Sequence, residues 1–135
     1  MGEDCIFCAI AAGEAPAEIL DQDEHTVAFM DINPWARGHA LVIPRRHAKN
    51  LLEIDQADLA HTVVAAKRLA DRMRTALACE GVTLFNSCGQ AAGQVVPHFH
   101  VHLVPRYEGD MLVWPERGEQ ADPEVMAELA SELRG

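Results

Sequence analysis

The chain has 135 residues, 49% of them hydrophobic and 24% charged, with a formal net charge of −10. That length and composition describe one globular domain with room for one core and not two. The acidic balance excludes wholesale binding of polyanions such as nucleic acid, because like charge repels them, but a small phosphate ligand needs only local donors.

No repeat or low-complexity segment interrupts the chain. No apolar run approaches the ~20 residues of a membrane-spanning helix. The opening MGEDCIF is acidic and has no charged region followed by an apolar stretch, so it does not read as a signal peptide. The expected compartment is the cytoplasm, with no membrane association, where the four cysteines stand as reduced thiols or metal ligands. Residues 5–12 read as a short helical turn, and Gly13 to Pro16 as a turn. Ile19 and Leu20, then Thr26 to Met30, read as two strands joined around Asp21 to His25. INPWARG carries Pro34 and Gly38 and reads as a loop; HALVI, residues 39–43, reads as a strand that Pro44 stops. Arg45, Arg46, His47 and Lys49 form a compact basic cluster, open both to a phosphate contact and to a solvated loop.

The clearest helix runs from about Asp55 to Cys79, with Leu59, Val63, Ala66, Ala70, Met73 and Leu77 on one stripe. Asp55 can cap its start and Gly81 suits its end. VTLFN, residues 82–86, reads as a strand, and a Gly/Ala loop from Ser87 to Pro97 leads into HFHVHLVPR. In the tail, Asp122 before Pro123 opens a helix striped by Val125, Leu129 and Leu133. Strands and helices do not alternate regularly, so the fold class expected is α+β: an antiparallel sheet packed by one long helix.

Two motifs carry chemistry. His98, His100 and His102 sit two apart among strand formers, and a period of two puts all three imidazoles on one strand face. Imidazole titrates nearest neutrality and is a common metal ligand, so the row is either a metal site or acid–base and nucleophilic machinery. Cys5 and Cys8 form CIFC, which brings two thiolates within reach of one tetrahedral ion. Redox motifs of this spacing open a helix after a strand, and no strand precedes this one; zinc is the better reading. Cys79 and Cys88 are not so spaced and are expected to be unliganded.

HFHVHLV resembles the His-φ-His-φ-His-φ-φ signature of the histidine triad (HIT) family of nucleotide hydrolases and transferases. AFMDINPWARGHALVIPRRH (residues 28–47) and FNSCGQAAGQVVPH (85–98) are similar to the family's other hallmark segments, and CIFCAIAAGEAPA to the N-terminus of its zinc-containing bacterial members. The resemblance implies one HIT domain over residues 1–135, with 108–135 as a less diagnostic tail, usually as a homodimer. It implies cleavage of a nucleoside monophosphate, usually AMP, from an amine or a second phosphate, with a purine nucleotide as substrate. His100 falls at the nucleophile, and His102 at the residue contacting the phosphate and leaving-group side. His98 falls at the first triad position, and His39 at the buried histidine that supports it. Asp31 falls at the ribose-binding carboxylate. Ile6, Phe7, Ile10, Phe29 and Ile32 fall at the base pocket, and Asn86, Gly93 and Gln94 at the phosphate-binding loop. Cys5, Cys8, His47 and His98 match the ligands of a structural zinc ion. Val95 departs from the Ser or Thr that many relatives carry. Two alternatives stay open: a nucleotide-binding regulatory module with vestigial hydrolysis, and a zinc hydrolase whose three histidines bind a catalytic metal.

Overall fold

The computed structural model describes residues 4–113, 115 and 117–135; the first three residues of the MGEDCIF segment lie outside them. In chain order they form α1 (Ile6–Ala11), β1 (Ile19–Gln22), β2 (Thr26–Met30), β3 (Ala40–Pro44), α2 (Gln56–Leu77), β4 (Gly81–Phe85), a 3-10 turn at Gln90–Ala92, β5 (Val101–Arg106) and α3 (Pro123–Arg134). The sheet is antiparallel in the order β1-β2-β3-β5-β4, with the long helix against it, as expected for the α+β class. No helix among the described residues is long and apolar enough to cross a membrane.

Strand alternation divides the buried residues between two faces. Ala28, Ala40, Val42, Val101 and Leu103 turn toward α2 and pack with Ala65, Ala66, Leu69 and Met73. Alanines on both sides let the helix backbone approach the sheet closely. On the opposite face Val27, Phe29, Leu41 and Ile43 pack under α1 with Cys5, Phe7 and Ile10. The register sets Leu41 and Phe85 on either side of His102. One face therefore carries the supporting helix, and the other carries the histidine chemistry.

The boundaries differ from the expected ones for local reasons. Asp55 caps α2 through the Ala57 N–H, but the helix closes at Ala78 in the left-handed conformation (φ 54°), and Gly81 opens β4 instead. Pro44 ends β3 while still paired with Thr26, since a strand end tolerates a missing N–H. β5 begins only at Val101, so His98 and His100 lie on its irregular approach. Arg45 and Arg46 are engaged within the fold: Arg45 donates to the Ala11 and Asp23 carbonyls, and Arg46 pairs with Asp55 and Asp58. In α3 the capping by Asp122 is as expected, but Val125, Leu129 and Leu133 remain exposed.

The β1–β2 turn is tied down by one carboxylate. Asp23 accepts from the N–H groups of His25 and Thr26 and from the Thr26 hydroxyl, while Arg68 on α2 bridges Asp23 and Asp21. Burial alone would push the Asp23 carboxyl up; these donors outweigh it and lower it from 3.8 to about 2. A depressed carboxyl contributes stability that is present above its unfolded value of about 3.9 and is lost as the pH falls toward the folded value. The melting-temperature gap between wild type and Asp23→Ala is expected to be constant above pH 4 and to narrow between pH 4 and 2. A gap unchanged down to pH 2 contradicts this.

Gly38 precedes the site histidine His39 with φ +92°, and a Cβ there would meet Leu77 Cδ1 at 2.5 Å and Pro105 Cγ at 3.1 Å. Gly38→Ala is expected to cost about 1–3 kcal/mol through backbone strain alone, with the crowding added to it. Chemical denaturation reads this directly, and a variant as stable as wild type refutes it.

Candidate active site and an adjoining cysteine–histidine cluster

The approach to β5 places three imidazoles in three different environments. His98 is fully buried and its Nε2–H donates to the Pro44 carbonyl at 2.9 Å. Its Nδ1 lone pair therefore faces the other way, 3.3 Å from Cys5 Sγ, 3.5 Å from Cys8 Sγ and 3.2 Å from His47 Nδ1. Cys8 Sγ and His47 Nδ1 are themselves 3.3 Å apart, and the four donor atoms lie within 4.8 Å of one another. In a tetrahedron with bonds of about 2.0–2.1 Å to nitrogen and 2.3 Å to sulfur, the N···N edge is about 3.4 Å and the N···S edge about 3.6 Å. The donor set fits an ion of that size and chemistry. Burial, with Cys5 alongside, raises the Cys8 thiol to about 11, and burial lowers His98 to about 4, which keeps its nitrogen neutral.

His100 turns toward a cleft. Its Nδ1–H donates to the His98 carbonyl at 2.7 Å, and Asn86 Nδ2–H donates to the His100 carbonyl at 2.8 Å. The tautomer is thereby set, and the lone pair sits on Nε2. Burial lowers the imidazole, so it stays unprotonated at neutral pH.

A second tautomer chain leads to His102. The Trp35 N–H donates to His39 Nδ1 at 3.0 Å, so neutral His39 carries its proton on Nε2, 3.0 Å from His102 Nδ1. His102 then presents Nε2–H. Asp31 Oδ2 is 3.5 Å from His39 Nε2, and Asp31 Oδ1 accepts from the Asn33 N–H. Burial, then the neighbouring His100 and His39, lower His102 to about 4.

The cleft has a volume of about 650 Å³. Ile6, Phe7, Ile10, Phe29 and Ile32 line it, together with Asp31, Gly93, His100 and His102. Phe7 packs edge-on against Phe29 at 5.3 Å and against His100 at 5.2 Å.

Not all of the expected site residues face this space. His39 lies behind His102 and not behind His98, because His98 sits on the irregular approach before β5 and turns toward CIFC. Asn86 does not line the cleft and holds the His100 backbone instead. The Gln94 amide is engaged with Gly89 N–H and with the Lys49 and Val96 carbonyls, bracing the loop rather than lining the cleft. The three triad imidazoles do not converge on one point: Nδ1 of His98 faces the cysteines, Nδ1 of His100 a carbonyl, and Nδ1 of His102 faces His39. With one His98 nitrogen on the Pro44 carbonyl and the other facing the cysteines, His98 does not join His100 and His102 around one point. Cys79 and Cys88 lie outside the Cys–His cluster found among the described residues. Trp35 and Phe85 also line the cleft, stacked on each other and on His102. For Phe85, alternation from Thr83 is the signal that would have found it. For Trp35, the signal is an aromatic residue in a loop punctuated by Pro34 and Gly38.

The model of the HIT domain matches residues 12–109. The Bacillus subtilis protein called Protein hit is 35% identical over 134 residues, covering 97% of this chain and 92% of that one. A zinc-bound histidine triad family protein from Mycobacterium smegmatis superposes with a TM-score of 0.81 at 34% identity, over 98% of this chain and 99% of the other. A histidine triad nucleotide-binding protein from Candida albicans superposes with a TM-score of 0.84 at 32% identity, over 97% and 95%.

Proposed function

The chain belongs to the HIT domain family, and from that premise we propose that it is a nucleotide hydrolase or transferase that passes a nucleoside monophosphate through His100. One observation carries the reading: the His98 carbonyl accepts a hydrogen bond from Nδ1–H of His100, so a neutral nitrogen with a free pair, Nε2, belongs to a ring that lines the cleft. The nucleotide-binding relative supports the substrate class.

The apolar wall of Phe7, Ile10 and Phe29 takes the flat base, and Asp31 accepts from the ribose hydroxyls. Gly93, with φ +92°, lets the loop come close to phosphate without a Cβ. The Nε2 pair forms a bond to phosphorus as the P–N or P–O bond to the leaving group breaks. The departing atom keeps that bond's electrons and takes a proton from solvent, while Nε2–H of His102 hydrogen-bonds it. Water then adds to phosphorus and gives its proton to solvent, and the P–N bond to His100 breaks with the pair returning to Nε2. His102 keeps its proton throughout. His39 acts through His102: it holds the tautomer that offers Nε2–H.

Cys5, Cys8, His47 and His98 would hold a zinc ion, a reading the zinc-bound relative supports. Bound there, zinc supplies a structural cross-link and no step of the reaction. It ties α1, and with it Phe7 of the base wall, to the strand approach that carries His100.

Release of AMP from AMP-amine conjugates and from dinucleoside polyphosphates, compared by kcat/KM, tests the assignment. Turnover of either class is expected. No turnover of any member by folded protein refutes it.

A further inference from the structure

The β4–β5 ladder brings a hydroxyl up to the nucleophile. Its register pairs Thr83 with Val104, Leu84 with Leu103 and Phe85 with His102. Continued two residues past the ladder, the same register sets Ser87 beside His100. The two segments are still together there, because Asn86 Nδ2–H reaches the His100 carbonyl at 2.8 Å. Side chains alternate along this edge: Phe85 and Ser87 line the cleft, and Asn86 and Cys88 do not. Ser87 therefore faces the same space as His100 and His102.

Among the described residues that line the cleft, Ser87 alone carries a hydroxyl. It is half-buried, and among the described residues no hydrogen bond within the chain engages that hydroxyl. The amides of Asn86 and Gln94, by contrast, are taken up by backbone groups. Val95, 88% exposed on the cleft, offers an apolar surface and no donor.

Displacement at phosphorus proceeds roughly in line, with the attacking and leaving atoms on opposite sides and negative charge spread over three equatorial oxygens. The leaving group therefore lies on the far side of phosphorus from His100 Nε2. A donor on the strand beside His100 borders the equatorial oxygens instead. A serine hydroxyl rotates to meet an acceptor, and it keeps its proton while it donates.

We propose that Ser87 is a further catalytic residue, whose hydroxyl donates a hydrogen bond to a non-bridging phosphoryl oxygen as His100 attacks. The proposal rests on His100 as the nucleophile, and it adds a donor for the charge that develops on the phosphoryl group.

The test compares wild type, Ser87→Ala and Ser87→Thr on an AMP-amine conjugate and on the two diastereomers of its phosphorothioate, in which sulfur replaces one or the other non-bridging oxygen. Ser87→Ala is expected to lower kcat at least tenfold, toward the roughly 10²–10³-fold seen when one donor to a developing oxyanion is removed. Ser87→Thr, which keeps a hydroxyl, recovers most of that loss. Sulfur accepts hydrogen bonds weakly, so wild type is expected to turn over one diastereomer more slowly than the other, and the gap is expected to shrink in Ser87→Ala. Because that gap is a ratio taken within one variant, partial loss of folded protein cancels. Ser87→Cys, close to serine in size but with only a weak S–H donor, is expected to behave like Ser87→Ala and covers the case in which the alanine variant does not fold. A loss of less than tenfold in folded Ser87→Ala, or a diastereomer gap unchanged from wild type, overturns the role of Ser87 and leaves the proposed function standing. No turnover of any substrate by wild type overturns the proposed function itself.

Discussion

His100→Ala is expected to lower kcat/KM for release of AMP by at least about 10⁴-fold, on the scale seen when an enzyme loses its nucleophile. At 1.36 kcal/mol per factor of ten this is about 5.5 kcal/mol of lost transition-state stabilisation. Nucleotide binding is expected to survive, because the base wall of Phe7, Ile10 and Phe29 is anchored on α1 and β2 and not on the imidazole. Loss of a buried ring can also unsettle the approach to β5, so His100→Asn is the companion variant: its amide N–H can still donate to the His98 carbonyl, but it has no nucleophilic nitrogen. Both variants are expected to bind AMP and to fail at turnover. A binding-competent variant that retains more than a tenth of wild-type activity removes His100 from the role.

Zinc removal is expected to have the largest effect on stability. A ligand held at about a thousand times its Kd stabilises the folded state by about 4 kcal/mol. For a chain of this length that corresponds to roughly 10–20 °C in melting temperature. Metal analysis is expected to find one zinc ion per chain. Chelation, or Cys8→Ser, is expected to lower Tm by that amount. Below the new Tm, kcat changes by only a few-fold, because none of the groups assigned to bond making or proton transfer is at the cluster. Prompt loss of turnover in protein that remains folded, restored by zinc, would instead give the metal a role in the reaction.

The histidine run and the CIFC spacing mark residues that the fold gathers, but alternation holds only from Val101, so the period of two does not give the directions of His98 and His100, whereas CIFC reports two thiols on one helical turn. The long helix is equally plain, since its Asp55 cap and most of its apolar stripe are contained within the element, although Val63 is exposed and Ala65 and Leu69 face the core instead. The division of labour among the histidines was not readable this way. Whether His39 supports His98 or His102 depends on β3–β5 register and on the Trp35 N–H, contacts between residues far apart in sequence. The resemblance puts Asn86 and Gln94 at the phosphate loop; the backbone hydrogen bonds that their amides close are visible only in the folded loop. Leu129 and its neighbours on α3 show the converse: a helical period specifies the element, not what it packs against.

Reaction of the protein with substrate for milliseconds, followed by denaturing quench, digestion and mass spectrometry under conditions that preserve phosphorus–nitrogen bonds, tests the central claim most directly. A single nucleotidyl adduct on His100, formed and consumed at rates consistent with turnover, is the expected result. An adduct on any other residue, or steady turnover with direct attack of water on the substrate and no adduct, would contradict it.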